Sequence, residues 1–121
     1  FINYCFHSVD GFSKFGSYTG NGSTDGPFVY TGFRPAFIIT KCSTSGSNWV
    51  LSDNQRSPDN DGDYDFLYPD LSNAEETGLE GYDILSNGFK IRNTFGNINS
   101  SGQTYIFIAF AENPMKYSNA R

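Results

Sequence analysis

The chain has 121 residues, enough for one domain with a single core. Its net charge of -5 argues against non-specific binding to nucleic acid or an anionic membrane surface, and no apolar run approaches the ~20 residues of a membrane span. Apolar residues make up only 37%, but twelve Phe and eight Tyr can each bury a large area, so a sound core is expected to be an aromatic one.

In chain order, short β-runs alternate with turn residues. Ile2 to Phe6 is the first run, and Ser13 to Tyr18 the second. Gly20-Asn21-Gly22-Ser23-Thr24-Asp25-Gly26 then separates it from the aromatic run Phe28 to Tyr30. Ala36 to Cys42 is apolar enough for a central strand, and Asn48 to Asp53 carries the one tryptophan, Trp49. Tyr64 to Tyr68 follows. Leu71 to Gly78 is the single stretch that admits a helical turn, with Ser72 as cap and Gly78 as stop. Tyr82 to Leu85 and Phe89 to Arg92 flank Ser86-Asn87-Gly88, where Asn-Gly signals a hairpin. Gln103 to Ala111 is the longest apolar run. Short strands spaced about 8 to 12 residues apart predict an all-β, antiparallel β-sandwich, jelly-roll or concanavalin-like, with at most one short helical turn.

The two ends echo each other. Phe1-Ile2-Asn3-Tyr4-Cys5-Phe6 aligns in order with Tyr105-Ile106-Phe107-Ile108-Ala109-Phe110. Residues 1–11 are therefore expected to be the last strand of a preceding, similar unit or the N-terminal strand of this one, and residues 12–121 a single sandwich module.

The glycine-rich stretch fails as a phosphate cradle. Its spacing is G-x-G-x-x-x-G, it lacks the Gly-Lys-Ser/Thr ending, and a strand rather than a helix N-terminus follows it. It reads as a flexible strand-to-strand connection, with a ligand-contacting surface loop as the alternative. Six of the nine Asp lie between Asp53 and Asp70, and Asp59, Asp61, Asp63 and Asp65 alternate. Oxygen ligands in such a run are candidates for Ca²⁺, although the glycine and glutamate of the EF-hand loop are out of place. The alternative is a solvated acidic loop, and no other cofactor is expected. His7 is the sole histidine, which leaves no zinc set, and no G-x-S-x-G supports a nucleophile. Nothing selects a carboxylate pair for glycoside hydrolysis among thirteen acids, so the chain is read as a non-enzyme. Cys5 and Cys42 both fall in strand-like runs and read as buried free thiols, with a disulfide between them as the alternative. Trp49, Asp53, Arg56, Tyr64 and Tyr68 are the candidate contacts to a glycan or partner, because aromatic faces stack on sugar rings. The competing reading puts these aromatics in the core or an oligomer interface.

"GSYTGNGSTDGPFVYTGFRPAFIITK", "NWVLSDNQR", "LYPDLSNAEE", "DILSNGFKIRN" and "NSSGQTYIFIAFAENPMKYSNAR" together resemble a small domain near the C-termini of bacteriophage virion proteins, frequent in tail-fibre-like proteins of marine and cyanobacterial phages. The resemblance runs from about Phe12 onward, and its specific blocks are Gly16 to Pro35 and Gly102 to Arg121. It implies that "FINYCF" is the ending of an upstream unit. Cys42 and the acidic insert depart from the family pattern, and no catalytic residues carry over. What the resemblance implies is a structural module of a tail fibre or other surface appendage, located in the virion and extracellular. Its partners would be further copies of itself (a trimer or higher assembly), other virion proteins and a host-surface glycan, with neither nucleic acid nor membrane insertion. A capsid decoration or filament subunit without receptor role, and a stand-alone lectin-like domain, are the alternatives.

Overall fold

A computed structural model describes residues 3, 5–56, 64–79 and 81–113. Nine strands and one short helix follow in chain order among them: β1 Ser13–Thr19, β2 Phe28–Tyr30, β3 Pro35–Cys42, β4 Val50–Asp53, β5 Tyr64–Phe66, β6 Glu76–Leu79, β7 Tyr82–Leu85, β8 Gly88–Ile91, α1 Gly96–Asn99 and β9 Thr104–Ala111. Every ladder is antiparallel. One sheet has the order β1-β9-β3-β4, a second β2-β8-β7, and β5 pairs with β6. Leu67, just past β5, exchanges backbone hydrogen bonds with Leu51 of β4 and ties that ribbon to the larger sheet.

Alternation along the strands builds the core. β3 turns Ile38, Thr40 and Cys42 inward, and β9 turns Tyr105, Phe107 and Ala109 inward. The three-stranded sheet answers with Val29, Ile84, Phe89 and Ile91. The layers meet through rings: Phe89 stands edge-on to Tyr18 of β1 at 6.3 Å and to Phe107 of β9 at 5.5 Å. The chain is thus an all-β antiparallel sandwich with an aromatic core.

Buried hydroxyls find partners. Tyr82 Oη lies 2.8 Å from Thr40 Oγ1 across the sandwich, and Tyr18 donates to the Ile98 carbonyl at 2.8 Å. Burial pushes the phenols of Tyr18, Tyr68 and Tyr82 above their ordinary value of 10.0, and the Glu76 carboxylate pushes Tyr68 further. A raised folded-state value means that unfolding releases protons first. The stability these groups contribute is therefore complete below pH ~10 and lost as pH rises, at about 1.4 kcal/mol per tyrosine for each unit above it. An absorbance titration at 295 nm alongside far-UV circular dichroism should show three tyrosines ionising only as the fold is lost. Smooth ionisation with the dichroism intact would contradict the buried network.

One expectation needs correction. The Leu71–Gly78 stretch is not helical: residues 72–75 are irregular and Glu76–Leu79 is β6. One turn gains too little to offset its nucleation cost, whereas pairing with β5 supplies a ladder. The helix stands instead at Gly96–Asn99, with no side-chain cap. Tyr105 Oη holds it, donating to the Gly96 carbonyl at 2.7 Å and accepting from Ser100 N at 2.8 Å. Of the expected Ile2–Phe6 run, Asn3, Cys5 and Phe6 carry no strand assignment, and Ile2 and Tyr4 lie outside the described residues.

The Ser86–Asn87 hairpin forms as expected, with Leu85 opposite Gly88. Its glycine serves a different purpose from the expected turn chemistry. Gly88 does not take a positive φ; it is a strand residue whose added Cβ would lie 2.1 Å from the Val29 carbonyl oxygen. Glycine is there for close backbone approach between β8 and β2.

Candidate functional site

The outward face of the four-stranded sheet is the feature that a lone sandwich does not need. Antiparallel sheets with one wet face ordinarily alternate apolar-in and polar-out. Here a central row of outward positions is apolar too, although Ser17, Lys41 and Asp53 share the same face. Ile108 of β9 pairs with Phe15 of β1 on one side and Ile39 of β3 on the other, and Ile39 pairs with Leu51 of β4. Phe110 gathers Phe12, Phe15 and Phe37 around its ring at 6.0, 6.2 and 5.8 Å. Phe6, 60% exposed, comes back over this face and stacks on Phe15 at 5.4 Å with the planes 17° apart. The result is a hollow of about 630 Å³ between Phe6, Phe15, Ile39, Trp49, Ile106 and Ile108. No charged side chain lines it.

The residues singled out in the sequence are not brought together as one site. Trp49 is half-buried in the apolar hollow. Asp53, at the far end of β4, accepts from Gln55 N at 2.9 Å, Arg56 N at 2.8 Å and Arg56 Nε at 3.0 Å. Arg56 is shared with the Glu75 carboxylate, so these three make a partly exposed ion cluster. Tyr68 is buried and donates its hydroxyl to Glu76. Tyr64 lies on β5 opposite Leu79, and its side chain is outside the described residues. A sugar platform needs an exposed aromatic beside polar groups, and Trp49 has the opposite surroundings. Of the candidate calcium ligands, Asp59, Asp61 and Asp63 lie outside the described residues, and Asp65 is half-buried on β5. Among the described residues no group of three or more His, Cys, Asp or Glu could hold a metal ion.

The glycine-rich segment does connect β1 to β2, but it is braced rather than loose. Its hub is Asn99, fully buried at the end of α1. Asn99 Oδ1 accepts from Asn21 N at 2.9 Å, while Nδ2 donates to the carbonyls of Ser23 and Asn93 at 2.8 Å each and to Asn21 Oδ1 at 3.2 Å. Lys90 closes the other side, donating to the Gly26 carbonyl at 3.0 Å and pairing with Asp25 at 2.7 Å. The Lys90 hydrogen bond and charge hold the Asp25 carboxyl below its usual range. The loop amides are spent on the protein itself.

Both cysteines are free; Cys42 is buried as expected, but Cys5 is exposed. Burial pushes the Cys42 thiol up, and hydrogen bonds from Ser45 and Thr44 outweigh it and bring it down to about 7. The sulfur lies 3.2 Å from Ser45 Oγ, on the inward face of β3.

Sequence reasoning missed Asn99 and the outward apolar positions. Asn99 carries no local signal, since its partners are up to 78 residues away. The outward face did have one: Tyr105 to Phe110 is apolar at every position, the pattern of a strand covered on both faces.

No curated protein and no solved structure matches the chain. A family profile described as a domain of unknown function, DUF7483, matches residues 1–114. That match takes in the Phe6 segment, both sheets and the loop clasped by Asn99, and the chain accordingly belongs to the DUF7483 family.

Proposed function

We propose that the chain is a structural, non-catalytic module of a bacteriophage virion, placed in a tail fibre or similar surface appendage and working by assembly. One observation carries the assembly reading: a row of outward residues, Phe15, Ile108, Ile39 and Leu51, is apolar across all four strands of the β1-β9-β3-β4 sheet, in a chain of net charge -5. These side chains are half-buried and Phe6 and Ile106 beside them are exposed, an apolar patch of the kind that marks an interaction site. The likeness of Gly16 to Pro35 and Gly102 to Arg121 to phage virion domains supports the location. The setting of Trp49 among aliphatic and aromatic side chains favours assembly over a lectin-like site. The test is immunogold electron microscopy of intact phage particles with an antibody raised against the chain. Gold on a fibre, tip or shell is the expected result, and particles that carry the protein's gene yet never take label would sink the proposal.

A further inference from the structure

We infer that the outward face of the four-stranded sheet receives the outward face of a second copy of this fold, an inference that rests on the assembly reading above. Three observations on separate footings lead there. The first is what already lies on the face. Asn3 and Phe6 line the hollow, and Phe6 stacks on Phe15, so an aromatic from outside the sheet occupies part of the surface.

The second is the character of that visitor. The sequence of residues 1–6 aligns in pattern with that of residues 105–110, with Ile at the second place and Phe at the sixth in both, and in that alignment Phe6 takes the place of Phe110. Phe110 is an outward residue of β9, ringed by Phe12, Phe15 and Phe37. Phe6, seated on the outward face, thus corresponds in sequence to an outward residue of the same fold. Phe6 shows how such a residue meets this surface: ring on ring with Phe15.

The third is charge and size. Each copy carries -5, so two copies repel at long range, and a contact centred on uncharged side chains adds nothing to that repulsion. The lining of the hollow is of that kind. Four strands about 4.8 Å apart, at most eight residues long at about 3.3 Å each, give a footprint of up to roughly 500 Å². A stable interface buries ~800 Å² per partner. The pairing is therefore weak for two free chains and becomes effective when units are held together in one assembly, where local concentration does the rest.

The experiment is sedimentation velocity on the intact 121-residue chain, from micromolar to sub-millimolar concentration, at low and high salt. The expected result is reversible self-association that strengthens with salt as the repulsion is screened. Ile106→Lys places a charge on an outward position that is 41% exposed, and should weaken association by roughly ten-fold or more. Phe6→Ser, outside every strand, should weaken it as well and decides the matter if Ile106→Lys disturbs the dichroism of the fold. Phe28→Lys changes an exposed aromatic of β2 in the other sheet and should leave association unchanged. A chain that stays monomeric at every concentration and salt overturns the inference, as does association that Phe28→Lys reduces as much as Ile106→Lys. Gold-labelled particles together with a monomeric chain would keep the virion role and remove only the pairing of like faces. Salt-strengthened association blocked by Ile106→Lys, with unlabelled particles, would do the reverse.

Discussion

Phe89→Ala should cost about 3–5 kcal/mol of folding free energy, the range for emptying a fully buried aromatic site. Phe89 lies at the centre of the sandwich with no exposed surface. Its ring stands edge-on to Tyr18, Tyr82 and Phe107, which belong to β1, β7 and β9, so one side chain joins both layers. Truncation forfeits the buried area and three aromatic contacts at once, and backbone ladders on either side of β8 keep the walls from collapsing into the gap. A domain of this size holds only about 5–15 kcal/mol in total, so the variant should be partly unfolded at growth temperature. Phe89→Leu, which keeps most of the volume, should lose less than half as much. Guanidinium unfolding followed by Trp49, the single tryptophan, measures both. A Phe89→Ala loss below about 1 kcal/mol would mean that the layers do not meet through this ring.

The second large effect is expected at Asn99, which is polar and yet fully buried. Asn99→Ala removes an acceptor for Asn21 N and donors to Ser23, Asn93 and Asn21 Oδ1. At about 1 kcal/mol per buried hydrogen bond, with more for groups left unpaired, the loss is about 3 kcal/mol. Asn99→Asp keeps the shape but trades the donors for a buried carboxylate, and should be at least as costly at neutral pH. The local readout is amide exchange: the Asn21 amide, which loses its acceptor, should lose protection in both variants. Unchanged protection there would show that the glycine-rich connection is held by something other than Asn99.

The strands were legible wherever turn residues bracket them. Phe28–Tyr30 and Tyr82–Leu85 begin and end where the sequence places them, because Gly26-Pro27, Gly32 and Ser86-Asn87 punctuate the chain. The central positions of β3 and β9 were legible from their apolar content. Elements stabilised from a distance were not. α1 has no cap of its own and depends on the hydroxyl of Tyr105, and β6 exists because β5 offers it a ladder. The Asn87-Gly88 pair gave the right hairpin for a different reason, since the steric demand on Gly88 comes from β2 across the sheet. The five proposed contact residues shared a composition rather than a place. Aromatic type alone does not separate Trp49, facing a hollow, from Tyr68, sunk in the core.

The order of the larger sheet has a consequence for how the chain is made. Among the described strands β1 comes first in the chain and β9 last, and they are partners from Ser13 opposite Phe110 to Thr19 opposite Thr104. Among the described residues β1 has no other neighbour in its sheet, and β3 reaches it only through β9. During synthesis β1 and β3 therefore wait without the strand that joins them until β9 emerges and slides between them. Pairing across that sequence distance is slow to nucleate, and a chain cut short before Thr104 would display β1 and β3 as open edges. β9 acts as a checkpoint, closing the sheet only in a polypeptide that has been translated through it.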